Sequence, residues 1–275
     1  MSNFEFFFVH PILFNLGPFS LHSYGLAMAL AFAAGILIAM HRAKTRGLGS
    51  QTALDLSVAI LIFSLIGARA TYVFTHLSEY REHPFDAISP IQHTGKIGIE
   101  GLVLLGGVIA AILTVFVFAR RKKMPFLSLM DLLAPSTALG IAVGRIGCFF
   151  NGCCFGLPGT LPWCVHFPEG SSAAWVFPGQ SVHPTQLYEV FYAFVIFIGL
   201  LIYDRAPRPA GRIVGWFLGL YGIGRFFNEQ FRWYESEMVL LSDGFRLTFS
   251  QVISIGLILC GFFLVLRSYR KKAAA

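Results

Sequence analysis

The sequence predicts an all-α polytopic membrane protein with seven transmembrane helices. Hydrophobic residues make up 56% of the 275 residues. Charged residues make up only 13%, whereas a soluble domain carries about 25%. Several apolar runs reach the ~20 residues that a helix needs to cross a bilayer. Because the strands of a closed membrane barrel alternate apolar and polar residues, these continuous runs favour helices.

The apolar runs divide the chain into seven predicted spans within one membrane domain, residues 1–275. The connection at 151–182 is long and rich in Gly and Pro, so we expect a small external elaboration there. The predicted spans are 16–40, 53–77, 99–119, 127–150, 185–203, 213–231 and 249–266.

The basic residues predict how the spans are oriented. The formal net charge is +7, and 14 of the 21 Lys and Arg residues follow the first, third, fifth and seventh spans. Cytoplasmic connections carry such an excess of positive charge, which predicts an N-terminus outside and a cytoplasmic C-terminus. The basic composition therefore requires no nucleic acid partner, and we predict none. Residues 1–16 contain no Lys or Arg, so we expect no cleavable signal peptide.

The segment 144–156, Gly-Arg-Ile-Gly-Cys-Phe-Phe-Asn-Gly-Cys-Cys-Phe-Gly, ends the fourth predicted span. Arg145 is costly at this depth unless it has an anionic partner. The glycines allow backbone N–H groups to approach a ligand closely. The combination predicts a phosphate site at the edge of the membrane. The alternative is a helix end with an arginine that extends to the interface and a Gly-rich turn.

Other costly polar residues fall on the same predicted side of the membrane. Tyr221, Arg225, Glu229 and Arg232 are spaced four, four and three residues apart, which predicts one helix face. Glu189 and Glu229 are expected to pair with Arg145, Arg69 or Arg225, and the surplus of arginine suits an anionic lipid headgroup. The alternative is an inert network of ion pairs that only fixes helix packing. The other costly polar residues on this predicted side of the membrane are Tyr24, Arg69, Tyr72, Arg145, Asn151, His183, Gln186, Tyr188 and Asn228.

One histidine and the cysteines leave alternatives open. His183 lies at the turn into the fifth span and titrates near neutral pH, so it either moves protons or is a structural turn histidine. Four of the five cysteines lie between 148 and 164 and are consistent with a disulfide, a zinc site or buried packing. Their spacing matches no standard zinc module, so we predict no metal and no cofactor. Cys260 is expected to pack within the last span.

With these motifs in this order, the chain resembles the bacterial prolipoprotein diacylglyceryl transferases over nearly its full length. The similar motifs are Gly-Pro at 17–18, His-Ser-Tyr-Gly-Leu at 22–26, Gly-Ala-Arg at 67–69, the segment 144–156, His-Pro-Thr-Gln-Leu-Tyr-Glu at 183–189, the Tyr-Gly, Arg, Glu and Arg positions of 221–232, and Thr-Phe-Ser-Gln at 248–251.

The chain departs from the family pattern at three positions. The family usually has Asn where Cys148 stands and Glu where Cys153 stands. It often has a catalytic histidine, or sometimes a tyrosine, before the Gly-Gly pair of span three, where this chain has Leu105. Leucine cannot accept a proton, so the resemblance implies the fold and the lipid site but does not supply the base.

The resemblance implies a transferase of the bacterial cytoplasmic (inner) membrane, with several passes. The implied reaction moves the diacylglyceryl group of phosphatidylglycerol to the lipobox cysteine thiol of a prolipoprotein signal peptide, the first step of lipoprotein maturation. The partners are therefore phosphatidylglycerol, the prolipoprotein and membrane lipids. The attacking thiol must lose its proton, and the leaving glycerol phosphate needs fixed positive charge.

The candidate residues follow from these two needs. Arg145 and Arg225 are assigned to the phosphate, with Asn151 helping, and His183 ranks first as the base. Tyr24, a carboxylate, and a thiolate at Cys148 or Cys153 are alternative bases. Two other functions stay open: a paralogue that acts on another acceptor, and a non-catalytic protein that binds or moves anionic lipids. The catalytic candidates are Arg145, Arg225, His183, Tyr24 and Glu229; the substrate-binding candidates are Arg145, Asn151, Gly144, Gly147, Gly156, Arg69, Glu189, Tyr221 and Arg232.

Overall fold

The computed structural model describes residues 11–16, 19–78, 80, 84–87, 101–234, 239–241 and 247–273. Helices dominate this part of the chain, and its strands form only two-stranded antiparallel sheets. The helices are α1 Ser23–Thr45, α2 Ser50–Thr75, α3 Leu104–Arg121, α4 Phe126–Phe150, α5 Ser172–Val176, α6 Thr185–Tyr203, α7 Arg212–Asn228 and α8 Phe249–Ala273, with a short 3₁₀ helix at Pro84–Ala87. The antiparallel pairs are β1 Ile12–Leu16 with β2 Phe19–His22, β3 Val165–His166 with β4 Ser181–Val182, and β5 Val239–Leu241 with β6 Leu247–Thr248.

The prediction of a helical membrane protein is confirmed. Within the described residues, six helices are long and apolar enough to cross a bilayer: α1, α2, α3, α4, α6 and α8. The sixth predicted span, 213–231, corresponds to α7, which has 17 residues and is shorter than these six helices. The count of seven spans and the orientation of the termini therefore stay predictions.

The first predicted span begins too early. Residues 16–22 were expected to be helical, but α1 begins at Ser23, after the hairpin of β1 and β2. The Ser23 N–H donates to the Pro11 carbonyl at 3.0 Å, which joins the end of the hairpin to the start of the helix. Ile12 and Phe14 of β1 are of the β-branched and aromatic types that favour strands. The Gly17-Pro18 pair of the first motif lies outside the described residues.

The chain divides into two compact units. One comprises Met1–Ile38 with Met130–Ala275, and the other comprises Ala39–Leu129. In the second unit, α2 and α3 approach closely at glycines, since a Cβ built on Gly106 would lie 2.6 Å from the Gly67 carbonyl oxygen. Small residues allow this backbone contact between membrane helices. The single membrane domain stays a prediction.

The core of the first unit holds α7 against its neighbours. Its buried apolar side chains come from α4, α6 and α7. Buried Asp131 of α4 accepts hydrogen bonds from the N–H groups of Gly211, at 2.7 Å, and Val214, at 2.8 Å. A carboxylate satisfies free N–H groups and the positive end of the dipole at a helix N-terminus, so Asp131 anchors the start of α7. This anchoring sets where Arg225 lies, further along the same helix.

Candidate functional site

A buried carboxylate holds two arginines from different helices. Glu189, near the start of α6, has a side chain that is 1% exposed. Its Oε2 atom lies 3.0 Å from Arg145 Nε and 2.8 Å from Arg225 Nη1. Its Oε1 atom accepts a hydrogen bond from the Tyr221 hydroxyl at 2.8 Å. The expected pairing of Glu189 with arginine is confirmed, and it ties α4, α6 and α7 together at one point.

A second buried carboxylate, Glu229, extends this cluster. Arg225 Nη2 lies 2.5 Å from Glu229 Oε1, so one guanidinium contacts both carboxylates. Arg232 Nη1 lies 3.7 Å from the same oxygen. Tyr234 donates its hydroxyl hydrogen to Glu229 Oε1 at 2.9 Å and accepts one from Arg225 Nη2 at 3.0 Å. We call Arg145, Glu189, Arg225, Glu229 and Arg232 the arginine–glutamate cluster.

The expectation that Tyr221, Arg225, Glu229 and Arg232 share one helix face holds as far as Glu229, whose N–H still donates to the Arg225 carbonyl at 3.1 Å, and is wrong for Arg232. Helix α7 ends at Asn228, and Glu229 is its C-terminal cap. Beyond it, the chain pairs with the segment after α4, because Leu157 N–H donates to the Phe231 carbonyl at 2.7 Å. A bridge between residues 156 and 232 continues this pairing. Arg232 still contacts Glu229, three residues earlier, at the turn after α7, and the pairing with the segment after α4 holds its backbone there.

The charges in the cluster do not balance. Its ion pairs involve three guanidinium groups and two carboxylates. Arg232 Nε is buried and has no hydrogen-bond partner within the described residues. The arginine side chains are 11–17% exposed, so they are largely desolvated but can be reached. A surplus cation in such surroundings is stabilised by a bound anion.

Three cysteines form a second cluster beside these arginines. The Sγ atoms of Cys148, Cys153 and Cys154 all lie within 4.8 Å of one another, and all three are free thiols. The chain reverses after α4, where Cys153 N–H donates to the Cys148 carbonyl at 3.1 Å. Cys154 has a φ of +64°, unusual for a residue with a side chain. Hydrogen bonds from the other two thiols, and then the charges of Arg232 and Arg145, lower the pKa of the Cys154 thiol.

Polar side chains at the start of α6 hold the backbone of this cysteine cluster. The Thr185 hydroxyl donates to the Cys154 carbonyl at 2.8 Å. Gln186 Nε2 donates to the Cys153 carbonyl at 2.7 Å. Asn228 Nδ2 in turn donates to the Thr185 carbonyl at 3.0 Å. The loop of cysteines is therefore fixed to α6, the helix that carries Glu189.

His183 lies where the segment between α4 and α6 meets α6. Its Nδ1 atom is 2.9 Å from the Tyr188 hydroxyl, which also accepts a hydrogen bond from Trp163 Nε1 at 2.9 Å. Its ring centroid is 5.1 Å from that of Phe231. Burial lowers the pKa of His183 below its usual value of 6.5. The imidazole is therefore neutral near pH 7 and able to accept a proton.

The remaining candidates on α1 and α4 lie close to the cysteines. A Cβ built on Gly147 would lie 2.6 Å from Ala27 Cβ and 3.4 Å from Tyr24 Cα, so α1 and α4 touch there. A Cβ built on Gly144 would lie 3.5 Å from the Met28 Sδ atom. The Asn151 N–H donates to the Gly147 carbonyl at 3.0 Å, which closes the last turn of α4. Tyr24 is therefore placed against the end of α4 from which the cysteines follow.

The chain matches one protein family along most of its length. The profile of the family described as prolipoprotein diacylglyceryl transferase covers residues 11–267. The chain belongs to this family. Named relatives agree, each called a phosphatidylglycerol–prolipoprotein diacylglyceryl transferase. The relative from Parasynechococcus marenigrum is 35% identical over 81% of this chain and 80% of its own length. The relative from Bacillus licheniformis is 33% identical over 96% of this chain and 93% of its own length. The relative from Geobacter sulfurreducens is 32% identical over 98% of this chain and 98% of its own length.

In this diacylglyceryl transferase family member, Leu105 and Arg69 lie in the second compact unit. Leu105 is in the first turn of α3 and is 53% exposed. Arg69 of α2 donates to the carbonyl groups of Asp86, at 2.6 Å, Ala87, at 2.9 Å, and Gly101, at 3.3 Å. These hydrogen bonds give Arg69 a structural role within its unit, and its binding to substrate stays a prediction.

The structure of this family member also reveals residues that the sequence patterns did not single out. Tyr234 bridges Arg225 and Glu229, and the Thr248 hydroxyl donates to Glu229 Oε2 at 3.4 Å. Thr248 belongs to the Thr-Phe-Ser-Gln motif at 248–251, but the sequence predicted no role for its side chain. Tyr234 lies two residues after Arg232, and only its hydrogen bonds distinguish it from an interfacial aromatic residue.

Proposed function

We propose that the protein transfers the diacylglyceryl group of phosphatidylglycerol to the lipobox cysteine of prolipoproteins, at the bacterial inner membrane. The observation that supports this most directly is the buried arginine–glutamate cluster, with three guanidinium groups for two carboxylates. The names of its relatives supply the donor and the class of acceptor. The cluster is suited to the phosphate of an anionic phospholipid.

The proposed reaction forms a bond between the acceptor sulfur and the glyceryl carbon while the bond from that carbon to the phosphate oxygen breaks. Glycerol phosphate leaves with the electron pair of the broken bond. Arg145 and Arg225 stabilise its developing charge, because both are held by Glu189 and need no reorganisation. Glu229 and Tyr234 hold the other side of Arg225. Asn151 and the N–H groups of nearby glycines contribute further donors.

The test uses purified protein in vesicles that contain phosphatidylglycerol, with a synthetic lipobox peptide. We expect the peptide to gain one diacylglyceryl mass for each glycerol phosphate released. A matched peptide with serine for the lipobox cysteine should gain nothing. If glycerol phosphate is released without a modified peptide, the chain acts on another acceptor. If a folded protein releases none, it binds anionic lipid without reaction.

His183 is the proposed acceptor of the thiol proton. Only the neutral imidazole can act, and its pKa lies below 6.5. We therefore expect full transfer above neutral pH and a decline as acidification protonates His183. General base catalysis contributes about 10²-fold or more, so His183→Gln should reduce transfer by at least about that factor. The measurement is initial rate against pH, with Gln180→Ala, an exposed position three residues away, as the control. An unchanged rate and acid decline in His183→Gln would assign the proton elsewhere.

The proposed topology has seven spans, an external N-terminus and a cytoplasmic C-terminus. The alternate distribution of 14 basic residues supports it. We expect reporter fusions after Lys123 and Lys272 to read cytoplasmic and a fusion near Gly170 to read external. A cytoplasmic signal at Gly170 would place the segment between α4 and α6, and with it the site, on the wrong side for exported prolipoproteins.

A further inference from the structure

The three clustered cysteines satisfy the spacing that a metal ion needs. Zinc binds thiolate at about 2.3 Å in tetrahedral geometry, which places the sulfur atoms about 3.8 Å apart. The Sγ atoms of Cys148, Cys153 and Cys154 all lie within 4.8 Å of one another. Closing around an ion therefore requires side-chain shifts of about 1 Å at most. Sequence spacing did not predict this site, because the chain reversal after α4 creates it.

The backbone holds these thiols in place before any ion binds. Cys148 lies in the last turn of α4, and its carbonyl accepts the Cys153 N–H. Thr185 and Gln186 fix the carbonyl groups of Cys154 and Cys153. Cys154 has a φ of +64°, which carries a backbone cost for a residue with a side chain. Strained positions of this kind concentrate at functional sites.

We propose that Cys148, Cys153 and Cys154 bind one Zn²⁺ ion and leave its fourth position open for the acceptor thiol. Thiolate ligands select soft or borderline cations, of which zinc is the common one without redox chemistry. Three protein ligands with an open fourth position are typical of zinc sites that act on a substrate. Cys153 and Cys154 are partly exposed, so the open side is accessible.

The open position gives this ion a chemical role, which rests on the proposed function. A thiol that coordinates a metal ion is deprotonated outright. The acceptor thiol therefore loses its proton on binding, His183 remains the acceptor of that proton, and the bound sulfur attacks the glyceryl carbon. Arg145 and Cys148 are three residues apart on α4 and are therefore neighbours on one helix face, which places the arginine–glutamate cluster beside the thiols. The ion thus activates the acceptor thiol, which Leu105 cannot do because its side chain accepts no proton.

A disulfide is the competing state of the same thiols. Adjacent residues have Cα atoms about 3.8 Å apart, below the 4.4–6.8 Å range usual for a disulfide, which disfavours a Cys153–Cys154 bridge. A bridge from Cys148 to either neighbour would leave one thiol and abolish the three-sulfur site. The two states are therefore exclusive, and a thiol count separates them.

The first experiment measures metal directly and does not depend on activity. Protein purified in detergent with a reductant should contain one zinc per chain by elemental analysis. Replacement by Co²⁺ should produce the intense near-ultraviolet absorption of cobalt bound to thiolate. Cys153→Ser and Cys154→Ser should lose the metal and the band. Cys164→Ser and Cys260→Ser, whose thiols lie outside the three-sulfur cluster, should keep both.

The second experiment tests the open position. Adding the lipobox peptide to the Co²⁺ protein should shift the absorption band, whereas the serine peptide should leave it unchanged. A band that the cysteine peptide does not alter would overturn the open position. The zinc site would be overturned if the purified protein contained no metal, or if the Cys154→Ser protein retained the metal. One disulfide among the three thiols would overturn it as well. A thiolate band without any transfer would instead count against the proposed function alone.

Discussion

Replacing Arg145 or Arg225 with glutamine should reduce diacylglyceryl transfer by at least about 100-fold while the protein stays folded. Loss of one fixed positive group at a developing anion costs about 3 kcal/mol of transition-state stabilisation. Glu189 contacts both arginines and Tyr221, so each single replacement leaves it with a remaining cation and a hydrogen-bond donor. Glu189 is therefore still compensated, and Glu229 keeps Tyr234 and Arg232 when Arg225 is replaced, so the loss falls on catalysis.

The comparison uses Arg205→Gln, which changes an exposed arginine after α6 and should transfer at the normal rate. Release of glycerol phosphate is measured in vesicles, and thermal unfolding in detergent reports stability. Arg145→Gln protein that unfolds normally and transfers at more than about a tenth of the normal rate would show that Arg145 serves packing only. An equal loss in Arg205→Gln would point to a general charge effect.

Replacing Gly156 with alanine should destabilise the site and remove transfer together. A Cβ at this position would lie 2.5 Å from the Phe231 carbonyl oxygen and 2.7 Å from the His183 carbonyl oxygen. Both are backbone atoms, so no rotamer change relieves the contact. Forcing an atom into a packed interior costs about 1–3 kcal/mol and more where backbone must move. The movement separates the strand-like pairing that carries Arg232 and displaces His183.

Gly140→Ala provides the matched control, since a Cβ there meets no atom within 4 Å and alanine favours a helix. It should keep the melting temperature and the transfer rate. The readouts are thermal unfolding monitored by size exclusion and transfer to the lipobox peptide. A Gly156→Ala protein with an unchanged melting temperature would mean that the chain relaxes around the added methyl group. An unchanged transfer rate in such a protein would show that the position of Arg232 does not affect the reaction.

The helical membrane class and most of the candidate residues followed from local properties of the sequence. Each residue of an apolar run or its basic flank contributes its own free energy of transfer into the bilayer. These contributions add along the chain, so they can be read from the sequence without knowing how the helices pack. The high cost of Arg145, Glu189 and Arg225 within apolar helices likewise marked them in advance. Their pairing is the physical consequence, because buried charge requires a partner.

Tertiary structure alone decided how those residues meet. The end of α7 at Asn228 and the pairing of 156 with 232 take Arg232 out of the helix and place its backbone beside the segment after α4. Tyr234 acquired its place only through that turn. The assembly of Cys148, Cys153 and Cys154 depends on the chain reversal after α4 and on the positive φ of Cys154. Contacts of this kind depend on backbone hydrogen bonds between distant segments, and residue spacing carries no information about them.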